Sequence, residues 1–571
     1  MKNPRLHKWG VHSLWVFELM GGANLKDLLL SRQLDFQQVS SLLSPYGFRE
    51  VKKADTNLQL IADEPRVKQL LAEILDEFLD CLFHSPDPDQ ALNYLERFTR
   101  AAYSKTQLLT YLRDSPYTLA MLTKLFGSSP FLSEILIRNP TYLYWIADPQ
   151  VLEREKSKSS LNREVSTTIR NLKNQERKLE ALCLLKRREL LRIGVRDLLK
   201  KSSVEETTMA LSVLAEILIQ NVLEICNAFM QRRYGAPLRS NTTGKRKQAD
   251  FTVLGMGKLG GGELNFSSDV DLLYLYDSGS GKTSGLRGKA ITNQISNAEY
   301  FRRLSQEITS ALSGITNEGS LYRVDLRLRP EGKSGQITSP LKGYQQYYES
   351  RGETWERLAL VKAWPVAGSS SLGKQFIKRI SSFIYHPPFS LKNLQEVRHI
   401  KERIDRKMLA RSQDKLNVKL GTGGIREIEF IVQSLQIIFG GKTSQIRERN
   451  TLKALEKLSK QRLLSREAYS NLREAYIFLR NVEHSLQMVH EFQTHLLPDN
   501  PQEMKLCALR LGYRDKDTIS AMNHFLTDYQ LHTRRVNYLF RELFDTPQNS
   551  SLLKTAFKRS PQIFSNLLVK K

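Results

Sequence analysis

The chain has few cysteines, and the ones it has are isolated. Cys81, Cys183, Cys226 and Cys507 are the only four in 571 residues and none forms a CxxC pair. That spacing speaks against a structural zinc site or a disulfide framework, and it predicts reduced, buried thiols of a cytoplasmic protein. No stretch of 18 consecutive apolar residues occurs, so no membrane span or membrane partner is expected. The N-terminal MKNPRLHKWGVHSLWVFELMGG is broken by His12 and Glu18 and lacks a small-residue cleavage site, which makes it a poor signal peptide. There is no repeat of fixed period. There is also no His-Asp dipeptide, which argues against a metal phosphohydrolase module. His484, His490 and His495 do not have the i, i+4 spacing of a shared metal site, and they read as structural or surface residues.

The chain does have a large excess of positive charge. Lys and Arg number 86 against 60 Asp and Glu, a net charge of +26. This fits an anionic partner such as a nucleotide, a nucleic acid or an acidic protein surface, or simply a basic solvated face. With 40% hydrophobic and 26% charged residues, the composition is that of a folded globular protein.

The hydrophobic period changes twice. Up to about residue 245 it is helical, and the clearest helix spans roughly 204–233. Ser203 and Glu206 form a capping box at its start, and Gly235 and Pro237 end it. The polar, basic 236–249 reads as a linker or surface loop. From Asp250, DFTVLGM reads as a buried strand, a Gly-rich turn follows, and VDLLYLY (270–276) is a second strand. A helix capped by Ser296 and Glu299 comes next. SLYRVDLRLRP (320–330) then alternates cleanly, with Arg323, Asp325, Arg327 and Arg329 on one side. Beyond about 370 the helical period returns, interrupted at Pro387-Pro388 and at KLGTGG (419–424), and the late stripes predict a bundle. The expected fold is mostly helical α+β. The expected domains are a helical region 1–245, an α/β domain 246–370, a helical bundle 371–545 and a tail 546–571.

The chemistry concentrates in GMGKLGGGELNFSSDVDLLYLY (255–276). Asp269 and Asp271 lie two apart where a strand begins, so alternation puts both on one face with Cα atoms about 6–7 Å apart. That spacing lets both reach one hard cation such as Mg²⁺, and Asp325 on a neighbouring strand would make a third ligand. Three carboxylates on one side of a sheet suit two-metal displacement at phosphorus. Gly255, Gly257, Gly260, Gly261 and Gly262 let backbone N–H groups approach phosphate oxygens. Ser267 and Ser268 add hydroxyl donors, and Lys258, Arg327 and Arg329 can offset phosphate charge. The turn is neither a P-loop, because Lys258 is not followed by Ser or Thr, nor a dinucleotide fingerprint, because the acidic residues lie too near the glycines.

GMGKLG running to SSDVD resembles the signature of the glutamine synthetase adenylyltransferase family, part of the nucleotidyltransferase superfamily related to DNA polymerase β. YRVDLRLRPEGKSG (322–335) and LGTGGIREIEFIVQ (420–433) are similar to its second and third signatures. SPDPDQALNYLERF (85–98) and SSPFLSEILIRNP (128–140) also resemble it, so the likeness spans roughly 60–545. The resemblance implies a polymerase-β-like catalytic domain. It implies Asp269, Asp271 and Asp325 as catalytic metal ligands for Mg²⁺, and Gly257 and Ser268 at the nucleotide phosphates. It further implies glutamine synthetase, ATP or ADP and phosphate as partners, with the PII signalling protein as an effector. The family's usual chain carries two tandem halves of opposing activity, one transferring AMP from ATP to a synthetase tyrosine and one removing it by phosphorolysis. This chain has one copy of the signature and resembles the N-terminal, adenylyl-removing half more closely. Glu427 and Glu429 are two apart on a helix and cannot both face the site; favourable first-turn charges are the expected reading.

Two rival readings follow from the same residues. An RNA-directed nucleotidyltransferase would suit the positive charge, but no RNA-binding signature accompanies it, so nucleic acid is not the expected partner. A non-catalytic nucleotide-sensing regulator is opposed by the three intact carboxylates.

Overall fold

The computed structural model describes residues 24–31, 34–240, 246–286, 292–385, 391–410, 416–489 and 494–557. The N-terminal segment, Pro387-Pro388, His490 and the end of the tail lie outside them. The chain divides into two compact units, Met1–Arg154 with Gly194–Lys201 and Met488–His490, and Glu155–Ile193 with Ser202–Gln487 and Glu491–Lys571.

The first unit is helical among its described residues. Some of its short helices start where Pro follows a capping residue. Asp87 accepts from the Gln90 N–H ahead of Pro88–Ala101, and Ser129 accepts from the Leu132 N–H ahead of Pro130–Arg138. Arg49 pairs with Asp87 at 2.8 Å and with Asp89 at 3.1 Å, which ties the two acidic residues of SPDPD to a neighbouring segment.

The second unit holds the strands. The long helix Val204–Tyr234 carries the capping box expected from Ser203 and Glu206, and it ends at Gly235 with φ +77°. It is long and apolar enough to cross a membrane, but 72% of its most apolar window is buried in the fold, so the structure explains it as a core helix. The following polar stretch is not a plain loop. Pro237–Ser240 (β1) and Arg246–Gln248 (β2) pair antiparallel, and Lys282–Thr283 (β5) adds to β1. Sequence polarity concealed these strands because β2 is exposed at all three positions and has no apolar face to signal it.

Phe251–Gly255 (β3) and Val270–Tyr276 (β4) form the antiparallel heart of a second sheet, with β3 buried throughout. Trp364–Gly368 (β8) flanks β3 antiparallel. Val324–Asp325 (β6) and Thr338–Pro340 (β7) pair with β4 in parallel. The alternating stretch 320–330 thus supplies only two strand residues. The strand stops because the Arg327 N–H donates to Asp325 Oδ1 at 2.8 Å, a side-chain turn that competes with the ladder. Arg329 then ties the loop by donating to the carbonyls of Leu326, Lys333 and Gly335.

Ser296 caps helix Asn297–Ser313, while Glu299 turns to Arg302 and Arg303 instead of closing the box. C-terminal to the sheet, helices Leu391–Leu409, Ile425–Gly440, Arg466–Val489 and Ala521–Phe544 supply a large shared core that includes Ile428, Leu435, Leu472, Leu479 and Val536. The molecule is mostly helical α+β, as the sequence indicated.

Candidate active site

Parallel pairing of β4 with β6 places Asp271 directly opposite Asp325 in register. Directly paired residues project to the same face, so two carboxylates stand side by side. Burial, and then the charge of Asp325, push the Asp271 carboxyl up to about 6. Asp325 is also partly desolvated, but hydrogen bonds from Arg327 more than offset this and hold it below its ordinary value.

The turn between β3 and β4 is built around Asp271. The Met256 N–H donates to the Asp271 carbonyl at 2.8 Å. Gly257 has φ +51°, and a Cβ there would lie 2.5 Å from Asp271 Oδ2. Of the five glycines, Gly257 is the one that meets a candidate catalytic group. Gly255 and Gly260 are tight against Val366 and the Lys362 carbonyl, so they serve packing, and Gly262 closes the short helix Gly257–Gly261. Ser268 Oγ accepts from the Asn265 N–H at 3.3 Å, and the Ser267 N–H donates to Gln487 Oε1 at 3.2 Å. Both serines are buried and shape the loop that delivers Asp269.

Arginines hold the outer carboxylates. Arg323 Nε donates to Asp269 Oδ1 at 2.6 Å, and its Nη2 donates to the Ser267 carbonyl at 2.7 Å. Arg327 Nε donates to both oxygens of Asp325, at 3.0 and 2.8 Å, and Nη2 adds a further contact. Among the described residues, no group of three His, Cys, Asp or Glu side chains is gathered closely enough to hold a metal ion. The donor set still suits a hard cation: an in-register carboxylate pair raises the pKa of its own buried member, and a cation between the two would relieve that repulsion.

Several residues expected at the phosphates are occupied elsewhere. Lys258 is buried and donates to Glu483 Oε1 at 2.6 Å; burial brings its ammonium down to about 7 although Glu483 opposes the shift. Arg329 is committed to loop carbonyls, and Arg327 is on Asp325. Glu427 and Glu429 are both buried, and Glu427 lies in the first turn of its helix, where a favourable charge was expected. Glu427 pairs with Lys401 at 3.3 Å and Glu429 with Lys362 at 2.7 Å. Lys362 also holds Glu263 at 2.7 Å, and its charge keeps Glu429 at about 2 despite burial.

His484 is buried edge-on to Phe266 with Nε2 3.1 Å from Asn265 Oδ1. His495 contacts Glu483 at 3.0 Å. Both are structural, as expected. The residues that sequence reasoning passed over are Lys419 and Arg426, the cations whose charges act on Asp271. Arg426 lies inside the third motif and Lys419 immediately before it, so their only signal was a basic side chain beside a glycine turn.

Residues 119–379 match the family model described as glutamate-ammonia ligase adenylyltransferase, and residues 396–544 match one described as GlnD PII-uridylyltransferase. The chain is similar to the bifunctional glutamine synthetase adenylyltransferase/adenylyl-removing enzyme of Nitrosococcus oceani, 35% identical over 80% of this chain and 45% of that protein. The enzyme of the same name from Thioalkalivibrio sulfidiphilus is 34% identical over 75% of this chain and 42% of its own length. That of Hahella chejuensis is 35% identical over 69% and 40%. The chain therefore spans under half the length of these relatives.

Proposed function

We propose, for a chain whose residues 119–379 belong to the glutamate-ammonia ligase adenylyltransferase family, that it is a nucleotidyltransferase regulating glutamine synthetase through an adenylyl group on a synthetase tyrosine. The observation that carries this reading is the in-register pair Asp271 and Asp325 beside the Gly257 turn, with Asp269 at the adjoining strand entry. An antiparallel pair with a parallel carboxylate-bearing neighbour also supports a polymerase-β-like catalytic domain.

Asp269, Asp271 and Asp325 would hold Mg²⁺. The ion supplies neutralisation of charge on the phosphoryl oxygens and orientation of the reacting groups. The chain's own residues do the rest. Gly257 leaves room for Asp271 and for a phosphate beside the turn. Arg323 and Arg327 hold the outer carboxylates in place, and on release become donors for phosphate oxygens. In one direction a tyrosine oxygen attacks the α-phosphorus of ATP; the bond to the β-phosphate oxygen breaks, pyrophosphate leaves and the hydroxyl proton passes to solvent or a carboxylate. In the other, a phosphate oxygen attacks the phosphorus of tyrosyl-AMP; the bond to the tyrosine oxygen breaks, ADP leaves and the tyrosine oxygen regains a proton. The likeness of the motifs to the adenylyl-removing half favours the second direction. The match of residues 396–544 supports PII as a regulatory partner, and reduced cysteines support a cytoplasmic setting.

The test uses the purified chain with glutamine synthetase and Mg²⁺. Labelled ATP is supplied in one reaction and adenylylated synthetase with phosphate in another, each beside an Asp271→Asn control. ADP release in the second reaction, absent from the control, is expected. Turnover in neither reaction by folded protein would overturn the reading.

A further inference from the structure

We propose that Gln487 is a positioning residue for Asp269, acting through the peptide of Ser267, and that helix Arg466–Val489 brings it there on a buried polar face that holds the turn ahead of the carboxylates. The inference rests on the reading of Asp269 as a metal ligand given above.

Arg480, Glu483, His484 and Gln487 follow one another at steps of three, one and three, which confines them to one side of an α-helix. All four are buried, and buried polar groups cost free energy unless they find partners. The partners come from one short segment. Arg480 Nη2 donates to the Glu263 carbonyl at 2.6 Å and also to Asn265 Oδ1. Lys258 Nζ donates to Glu483 Oε1 at 2.6 Å, and His484 Nε2 lies 3.1 Å from Asn265 Oδ1. The Ser267 N–H donates to Gln487 Oε1 at 3.2 Å. Leu472, Leu479 and Val482 of the same helix lie in the hydrophobic core, so the helix is anchored without its polar face. That face is spent on the segment 258–267.

The link from Gln487 to Asp269 is short. Ser267 is fixed at its N–H by Gln487, and Val270, where β4 begins, is fixed by its own N–H to the Arg323 carbonyl at 2.9 Å. Only Ser268 and Asp269 lie between these two points, so a shift at Ser267 reaches Asp269 within about 7 Å of chain. The Ser267 carbonyl has a second hold, from Arg323 Nη2 at 2.7 Å, but the Arg323 side chain is half-exposed whereas Gln487 is fully buried. A hydrogen bond shielded from water is the harder of the two to exchange. The Gln487 contact therefore defines where the chain enters the strand that presents Asp269 and Asp271.

The experiment compares the full wild-type chain with Gln487→Met, which keeps the side-chain length and removes the acceptor, and Gln487→Glu, which keeps an acceptor oxygen. Leu472→Ala is the control, loosening the same helix from its core side. Two quantities are read without synthetase or nucleotide: hydrogen exchange of the Ser267 amide, and affinity for Mn²⁺ as the probe of the carboxylates. Gln487→Met is expected to speed the exchange and weaken Mn²⁺ by about five- to tenfold, the loss of one buried hydrogen bond, with Gln487→Glu within about twofold of wild type. Leu472→Ala should lower the urea midpoint by more than Gln487→Met does and leave the Mn²⁺ affinity of the folded chain unchanged, a split that a merely structural role for Gln487 would not give. Unchanged Mn²⁺ affinity in Gln487→Met, or an equal loss in Leu472→Ala, overturns the proposal. Mn²⁺ binding by wild type with no turnover in either direction would sink the proposed activity and leave the positioning role standing.

Discussion

Gly257 and Asp271 occupy each other's space: a Cβ on the glycine would sit 2.5 Å from the aspartate's Oδ2, and the glycine's φ of +51° is one that side chains disfavour. Gly257→Ala therefore has two costs. The strained backbone destabilises the fold by about 1–2 kcal/mol. The collision moves Asp271 off its register with Asp325. Adenylyl transfer or removal is expected to be lost while the chain remains folded, so activity should fall far more than the urea midpoint. Retention of more than a tenth of wild-type activity would show that Asp271 tolerates displacement.

The carboxylate pair also sets a pH signature. Burial, and then the adjacent Asp325, push the Asp271 carboxyl up to about 6 in the folded chain from an ordinary value of 3.8. Between these values the folded chain holds a proton that the unfolded chain has released. Stability from this group therefore falls as pH rises through the window, and the penalty is complete above about pH 6. Asp271→Asn should raise metal-free stability at pH 8 by up to about 3 kcal/mol and change it little at pH 4. Urea unfolding at the two pH values tests this. Because a bound cation favours the ionised form, the acid limb of wild-type activity should move to lower pH as Mg²⁺ is raised.

Much of this site was legible in the sequence, and the limits of that legibility are physical. Two-residue spacing at a strand entry specifies a common face, and DVD followed by LLYLY could only be a buried strand. Thus Asp269, Asp271 and the neighbouring strand with Asp325 were all identifiable from local pattern. What local pattern could not express was pairing across hundreds of residues. Lys258 follows a glycine turn and reads as a phosphate ligand, yet its partner Glu483 lies 225 positions away. The alternation of YRVDLRLRP reads as a long strand, yet the Asp325 side chain captures the Arg327 N–H and ends it. Helical spacing showed that Glu427 and Glu429 diverge, but not that each meets a buried lysine. The helix boundaries around Val204–Tyr234 and Ile425–Gly440 were readable because capping boxes and glycine turns are local signals.

Lys362, just ahead of β8, pairs with Glu263 and with Glu429 of helix Ile425–Gly440, both at 2.7 Å. All three side chains are almost wholly buried, so Lys362→Met leaves two carboxylates without their cation. Removing one partner of a buried ion pair costs about 3–5 kcal/mol. A loss of this size is expected in chemical denaturation, with a smaller loss for Lys362→Met combined with Glu263→Gln and Glu429→Gln. Equal loss in the single and triple variants would mean that packing, not charge, dominates.

Lys258 is matched to Glu483, whose carboxyl remains well below its ordinary value despite burial because of Lys258, His495 and Arg480. Lys258→Met should destabilise the fold, and Lys258→Met with Glu483→Leu should recover part of the loss. A double-mutant cycle in urea measures the coupling, expected at about 1–3 kcal/mol. A coupling near zero would show that the two side chains act independently of one another.

Arg323 and Arg327 compete with any cation for the outer carboxylates. Arg323 Nε holds Asp269 at 2.6 Å, and Arg327 Nε holds Asp325 at 2.8 Å. Both guanidiniums are mostly exposed, at 51% and 66%, so each is free to swing away once its carboxylate finds a stronger partner. Removing either arginine should therefore tighten Mg²⁺ binding, by about 2–5-fold for Arg327→Ala, since an exposed pair contributes about 0.2–1 kcal/mol. If the released arginine then binds phosphate oxygens, the same variant should weaken MgATP or lower turnover at saturating Mg²⁺. The two effects have opposite signs, and titrating Mg²⁺ with and without nucleotide separates them. Weaker Mg²⁺ binding in Arg327→Ala without nucleotide would instead mean that Arg327 orients Asp325 for the metal, not that it competes with it.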